Sequence, residues 1–70
     1  MNETQRQMID YLRKREANLY EDLKLAREKD GGDSQGTLYL LAKWGEINDI
    51  MLDFQITPFT SEQRKTLFSQ

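Results

Sequence analysis

Apolar residues recur at helical spacing through two long stretches of this chain, and the polar and glycine-rich positions between them divide it into three elements. Met8, Leu12, Leu19, Leu23 and Ala26 are separated by four, seven, four and three positions, which places them on one stripe of an α-helix. No proline or glycine falls between Thr4 and Lys29. Glu3 near the start and Arg27 and Lys29 near the end suit the helix macrodipole, and Asp10 and Lys14 form a favourable i, i+4 pair. The pattern predicts a helix over 4–29. Arg15 and Glu16 interrupt the stripe between Leu12 and Leu19. Two readings fit them: stems that snorkel along the seam's edge, or a polar layer that sets the register of a bundle.

The next segment, Asp30-Gly31-Gly32-Asp33-Ser34-Gln35-Gly36, holds three of the four glycines. Gly31 is placed for the left-handed conformation that closes a helix. Asp30 and Asp33 suggest a calcium loop only superficially, because Leu41 stands where the bidentate Glu of such a loop is required. A turn over 30–36 is the expectation. So short a linker makes the helices it joins antiparallel neighbours, an αα-hairpin.

A second helix is predicted over 37–54, with Asp33, Ser34 or Thr37 as its N-cap. Placed at 100° per residue, Leu40, Trp44, Ile47, Met51 and Phe54 share one face, while Leu38, Leu41, Gly45 and Leu52 share an adjoining one. Ala42, Glu46, Asp49 and Asp53, with Tyr39 at the edge, make up the polar remainder. One partner helix covers roughly one stripe, so this helix needs covering from two directions. Gly45 at mid-helix costs up to about 1 kcal/mol relative to Ala, and a close helix approach is the natural compensation.

Pro58 disfavours helix at Thr57, so 55–59 should be extended and the second helix should stop there. Thr60 followed by Gln63 has the form of a capping box, which predicts a short helix over 60–68. Phe59, Leu67 and Phe68 would then fold back onto the hairpin. The fold class is all-α: an antiparallel two-helix hairpin plus a short C-terminal helix, one domain over 1–70, which as a dimer would make a four-helix bundle. In that dimer the Leu40, Trp44, Ile47, Met51 seam is buried between copies; in the rival arrangement the C-terminal helix covers it within one chain.

Composition supports helix and narrows function. Valine is absent, Leu is the commonest aliphatic, and Glu, Lys, Arg and Gln are frequent, a helix-favouring mix. With 70 residues, 37% of them hydrophobic, the chain is near the size where one core barely suffices. Cysteine and histidine are both missing. Disulfides, zinc sites, thiol nucleophiles and imidazole acid-base chemistry are therefore excluded, and oligomerisation or docking on a partner is the remaining way to support a small core. No membrane-length apolar run and no secretory leader are evident in the sequence, so a cytoplasmic location is expected.

Ten basic residues against 12 acidic ones give a net charge of −2, which makes nucleic-acid binding an unfavourable expectation. The basic run Arg13-Lys14-Arg15 splays around a helix rather than forming a patch. No nucleophile lies beside a base, and no phosphate-cradling glycine motif accompanies the carboxylates. No catalytic residue, metal, cofactor or small-molecule ligand is expected. The candidate protein interface is Leu40, Trp44, Ile47, Met51 and Phe54, and the candidate acidic contact face is Glu46, Asp49 and Asp53. These residues point to a small non-catalytic protein-binding module, of the size and type of a bacterial or phage regulatory adaptor or inhibitor, working as a homodimer or on a protein partner. The alternative is a DNA-binding or replication-accessory regulator, with a helix-turn-helix-like C-terminal part presenting Thr60, Ser61, Gln63, Arg64 and Lys65.

Overall fold

The computed structural model describes residues 2–31 and 34–69, and these form three helices with no strand among them. Helix α1 spans Glu3–Asp30, α2 spans Gln35–Asp53 and α3 spans Ser61–Phe68. The expected bounds hold to within a residue or two at each end. Gly32 and Asp33 lie outside the described residues, and with them the Asp33 cap and the calcium reading of the loop.

Local chemistry fixes each helix end. Asn2 caps α1 by accepting from the Gln5 amide at 2.8 Å, and the Gln5 side chain returns the bond to the Asn2 amide at 3.2 Å. Gly31, at φ 72°, closes α1 and donates its N–H to the Arg27 carbonyl, the left-handed closure expected of it. Of the three possible caps for α2, Ser34 is the one that serves: its hydroxyl accepts from the Thr37 amide at 3.1 Å. Thr60 and Gln63 form the expected capping box at the start of α3.

The end of α2 falls one residue before the expected 54, and it is not Pro58 that closes it. The helix stops at Asp53, ahead of Pro58, because Gln55 takes a left-handed conformation at φ 56°. The Ile56 amide then reaches back to the Met51 carbonyl at 2.7 Å and the Gln55 amide to Leu52 at 3.0 Å. This reciprocal closure is usually built on glycine.

α1 and α2 pack antiparallel. Glu16 meets Trp44 while Arg13, earlier in α1, meets Thr57, so one chain segment ascends as the other descends. After α2 the chain turns again, and α3 runs back along α1, with Arg64 reaching Glu16. Phe59 and Leu67 are half-buried on this return and Phe68 is exposed. Arg13 lies over the Phe59 ring, 6.0 Å from its centroid, and its Nε donates to the Thr57 carbonyl at 2.7 Å. The linker is thereby pinned to α1.

The α1 face that meets the rest of the chain differs from the expected stripe. Ile9, Glu16 and Leu23 recur every seven residues, as do Leu12, Leu19 and Ala26. All six are buried or half-buried, whereas Met8 is exposed. Glu16 thus stands at the centre of the seam, in the position a coiled coil gives to an apolar residue, and Arg15 beside it is exposed. Ala17, Leu19, Leu23 and Met51 complete the buried apolar set.

Candidate functional site

The residues proposed from sequence separate into one group that faces inward and another that faces out. Glu16, with 1% of its surface exposed, explains the division. Its carboxylate accepts from Trp44 Nε1 at 2.8 Å and from Arg64 Nη2 at 2.5 and 2.8 Å. A buried carboxylate must be paired and hydrogen-bonded to be tolerated, and one side chain from each helix meets that requirement here. The Arg64 guanidinium also lies 4.4 Å above the centre of the Tyr20 ring, and Tyr20 and Trp44 pack at 6.2 Å between centroids. Arg64 Nε is buried without an acceptor. The cluster joins the three helices but leaves that donor unused.

This geometry turns one face of α2 towards α1. Leu40, Trp44 and Ile47 are half-buried and Met51 is buried. Four of the five residues assigned to a protein interface therefore serve the chain's own packing. Phe54 alone of the five is exposed, and it lines a shallow apolar groove with Met8, Ile9, Leu12 and Ile56. On this face the Glu16 carboxylate gives the indole N–H its partner, and Met51 is buried.

The adjoining α2 face is left uncovered. Leu38, Leu41 and Leu52 are exposed to 55, 37 and 73%. Gly45 lies at the centre of their stripe, and a Cβ added there would meet nothing within 4 Å. No contact among the described residues accounts for this glycine. Glu46, Asp49 and Asp53 are all exposed and border the same stripe along one edge, as helical spacing dictates. Among the described residues, no group of three or more His, Cys, Asp or Glu is disposed to hold a metal ion.

The residues of the DNA-binding alternative are differently engaged. Arg64 is held by Glu16, and Thr60 and Gln63 are occupied by their own capping box. Ser61 and Lys65 are exposed. In the basic run, Arg13 is tied to the linker while Lys14 and Arg15 are exposed.

The role of Arg64 was not visible from spacing, since its partner lies 48 residues away. Glu16 could have been placed at the seam centre, because Ile9 and Leu23 flank it at equal distances. No helix among the described residues is long and apolar enough to cross a membrane. No known family model matches the chain, and no curated protein or solved structure matches it significantly.

Proposed function

We propose that the chain is a non-catalytic protein-interaction module of the cytoplasm, a small regulatory adaptor or inhibitor that acts by docking on a protein surface. The observation that carries this reading is the outward face of α2, where Leu38, Leu41 and Leu52 stand exposed around an unfilled Gly45. Contiguous exposed apolar side chains mark interaction surfaces. Leu38, Leu41 and Leu52 stand at i, i+3 and i+14 with Gly45 at i+7, so they share one side of the helix and suit a partner that buries one helical face. The Glu16 cluster supports the reading in another way, because it holds α2 in one orientation and so reduces the ordering cost of binding. Glu46, Asp49 and Asp53 would form a polar rim, favouring partners with basic groups at the matching edge.

The experiment is affinity capture with the wild type and with the Leu38→Glu, Leu52→Glu double variant. Both positions are exposed, so the variant should keep the wild-type circular dichroism. Proteins retained by the wild type and lost from the variant support the reading. Equal retention by both contradicts it.

A further inference from the structure

We infer that the outward face of α2 is a self-association surface, on which a second copy packs about a two-fold axis beside Gly45. The inference rests on the proposed binding role and names the occupant of that face.

Gly45 is the first part of the argument. A glycine in a helix interior weakens the helix, and here the space beside it is open. The missing side chain therefore gives no packing benefit within the chain. It does allow another helix backbone to approach closely at that point.

The sequence around Gly45 is the second part. Leu38 lies seven residues before it and Leu52 seven residues after, and two helical turns return each to the same face. Reversing the helix about Gly45 superimposes Leu38 on Leu52. A two-fold interface needs such a self-complementary patch. In an antiparallel pair, Leu38 of one copy meets Leu52 of the other on both sides of the crossing, and the two helix dipoles oppose favourably. An unrelated partner has no need of this symmetry.

Surface area is the third part. The chain exposes 5567 Å², whereas a folded monomer of 8.3 kDa is expected to expose about 4,600 Å². The chain is thus more open than a compact monomer by about 1,000 Å², and the exposed Leu38, Leu41 and Leu52 contribute part of that surplus. The radius of gyration agrees: it is 13.2 Å, against about 11 Å for a compact chain of this length.

Charge shapes the expected behaviour. A perpendicular two-fold axis places the Glu46, Asp49, Asp53 edges of the two copies on the same side of the seam, so the carboxylates repel across it. Added salt should screen them and tighten the dimer.

The test is analytical ultracentrifugation of the full chain from micromolar to near-millimolar concentration, at low and high salt, with Gly45→Leu, Gly45→Ala and Leu52→Glu alongside. The wild type should reach twice 8.3 kDa, more readily in high salt. Gly45→Leu and Leu52→Glu should raise the dissociation constant by about tenfold or more while keeping the helical circular dichroism. If Gly45→Leu disturbs the fold, Gly45→Ala, which favours helix, reads the same contact with a single methyl. A wild type at 8.3 kDa throughout overturns the inference, as does a dimer indifferent to the substitutions. Failure here is separable from failure of the binding role: a monomer that captures a protein, and loses it on Leu38→Glu with Leu52→Glu, refutes only the second copy.

Discussion

Arg64 of α3 donates one nitrogen to both carboxylate oxygens of Glu16 in α1, at 2.5 and 2.8 Å. The arginine side chain is 20% exposed and the glutamate 1%, so the two partners are unequally sheltered. Removing Arg64 leaves a buried carboxylate with only the Trp44 indole, while removing Glu16 leaves a guanidinium that can still reach water.

Arg64→Ala should therefore destabilise the fold by about 3 kcal/mol, near the lower end for breaking a buried pair. Glu16→Leu should cost less, because it extends the Ile9 to Leu23 seam with an apolar side chain, and the guanidinium it unpairs keeps a fifth of its side-chain surface in water whereas the carboxylate left by Arg64→Ala has almost none. Urea unfolding checks the order. A larger loss for Glu16→Leu than for Arg64→Ala would show that the pair itself, rather than the stranded carboxylate, dominates.

Gln55 sits at φ 56°, a conformation that costs a residue with a Cβ about 1–2 kcal/mol and glycine much less. Gln55→Gly should stabilise the protein by about 0.5–1 kcal/mol once the extra freedom of the unfolded glycine is deducted. Thermal melts read the change. A lower melting temperature for Gln55→Gly would mean that the Gln55 side chain contributes more than its backbone costs.

The DNA-binding alternative can be tested through what α3 has left to offer. With Arg64 committed to Glu16 and a net charge of −2, the chain should bind duplex DNA no better than an acidic control protein at physiological salt. Salt-sensitive binding at submicromolar concentration would favour the regulator reading instead.

The hairpin was legible from the sequence because its signals are local. Apolar spacing, the glycine after α1, the Thr60 and Gln63 capping box and the linker length each depend on residues within a few positions of one another. What was not legible is long-range. The apolar pattern of α2 offers two faces of similar breadth, and nothing in that pattern says which of them meets α1. The inward face is the one on which Trp44 finds Glu16 as its partner and Met51 is buried. The carboxylate in turn requires Arg64, from a helix that spacing alone did not connect to it. Assigning Leu40, Trp44, Ile47 and Met51 to an external interface followed from the surplus of apolar circumference on α2, which one partner helix cannot cover. The Gln55 closure of α2 was not legible either, since a left-handed glutamine carries no sequence signature comparable to glycine.

Gly45→Ala should act in opposite directions on the two states of the chain. The added methyl meets nothing within 4 Å in the single chain, so dilute protein should gain up to about 1 kcal/mol from helix propensity. Concentrated wild type gains from association instead, and its melting temperature should rise with concentration. That rise should be smaller in Gly45→Ala. Identical concentration dependence in the two proteins would detach Gly45 from any interface.

The most direct measurement of the proposed surface uses the absence of native cysteine. Leu38→Cys and Leu52→Cys proteins are prepared separately, mixed and mildly oxidised. In the antiparallel pair a thiol at 38 lies against one at 52, while two thiols at 38 stand about 21 Å apart along the helices, well beyond disulfide reach. The account predicts that the mixed disulfide forms in clear excess over both symmetric ones. A random distribution of the three, or dominance of the symmetric products, would contradict it.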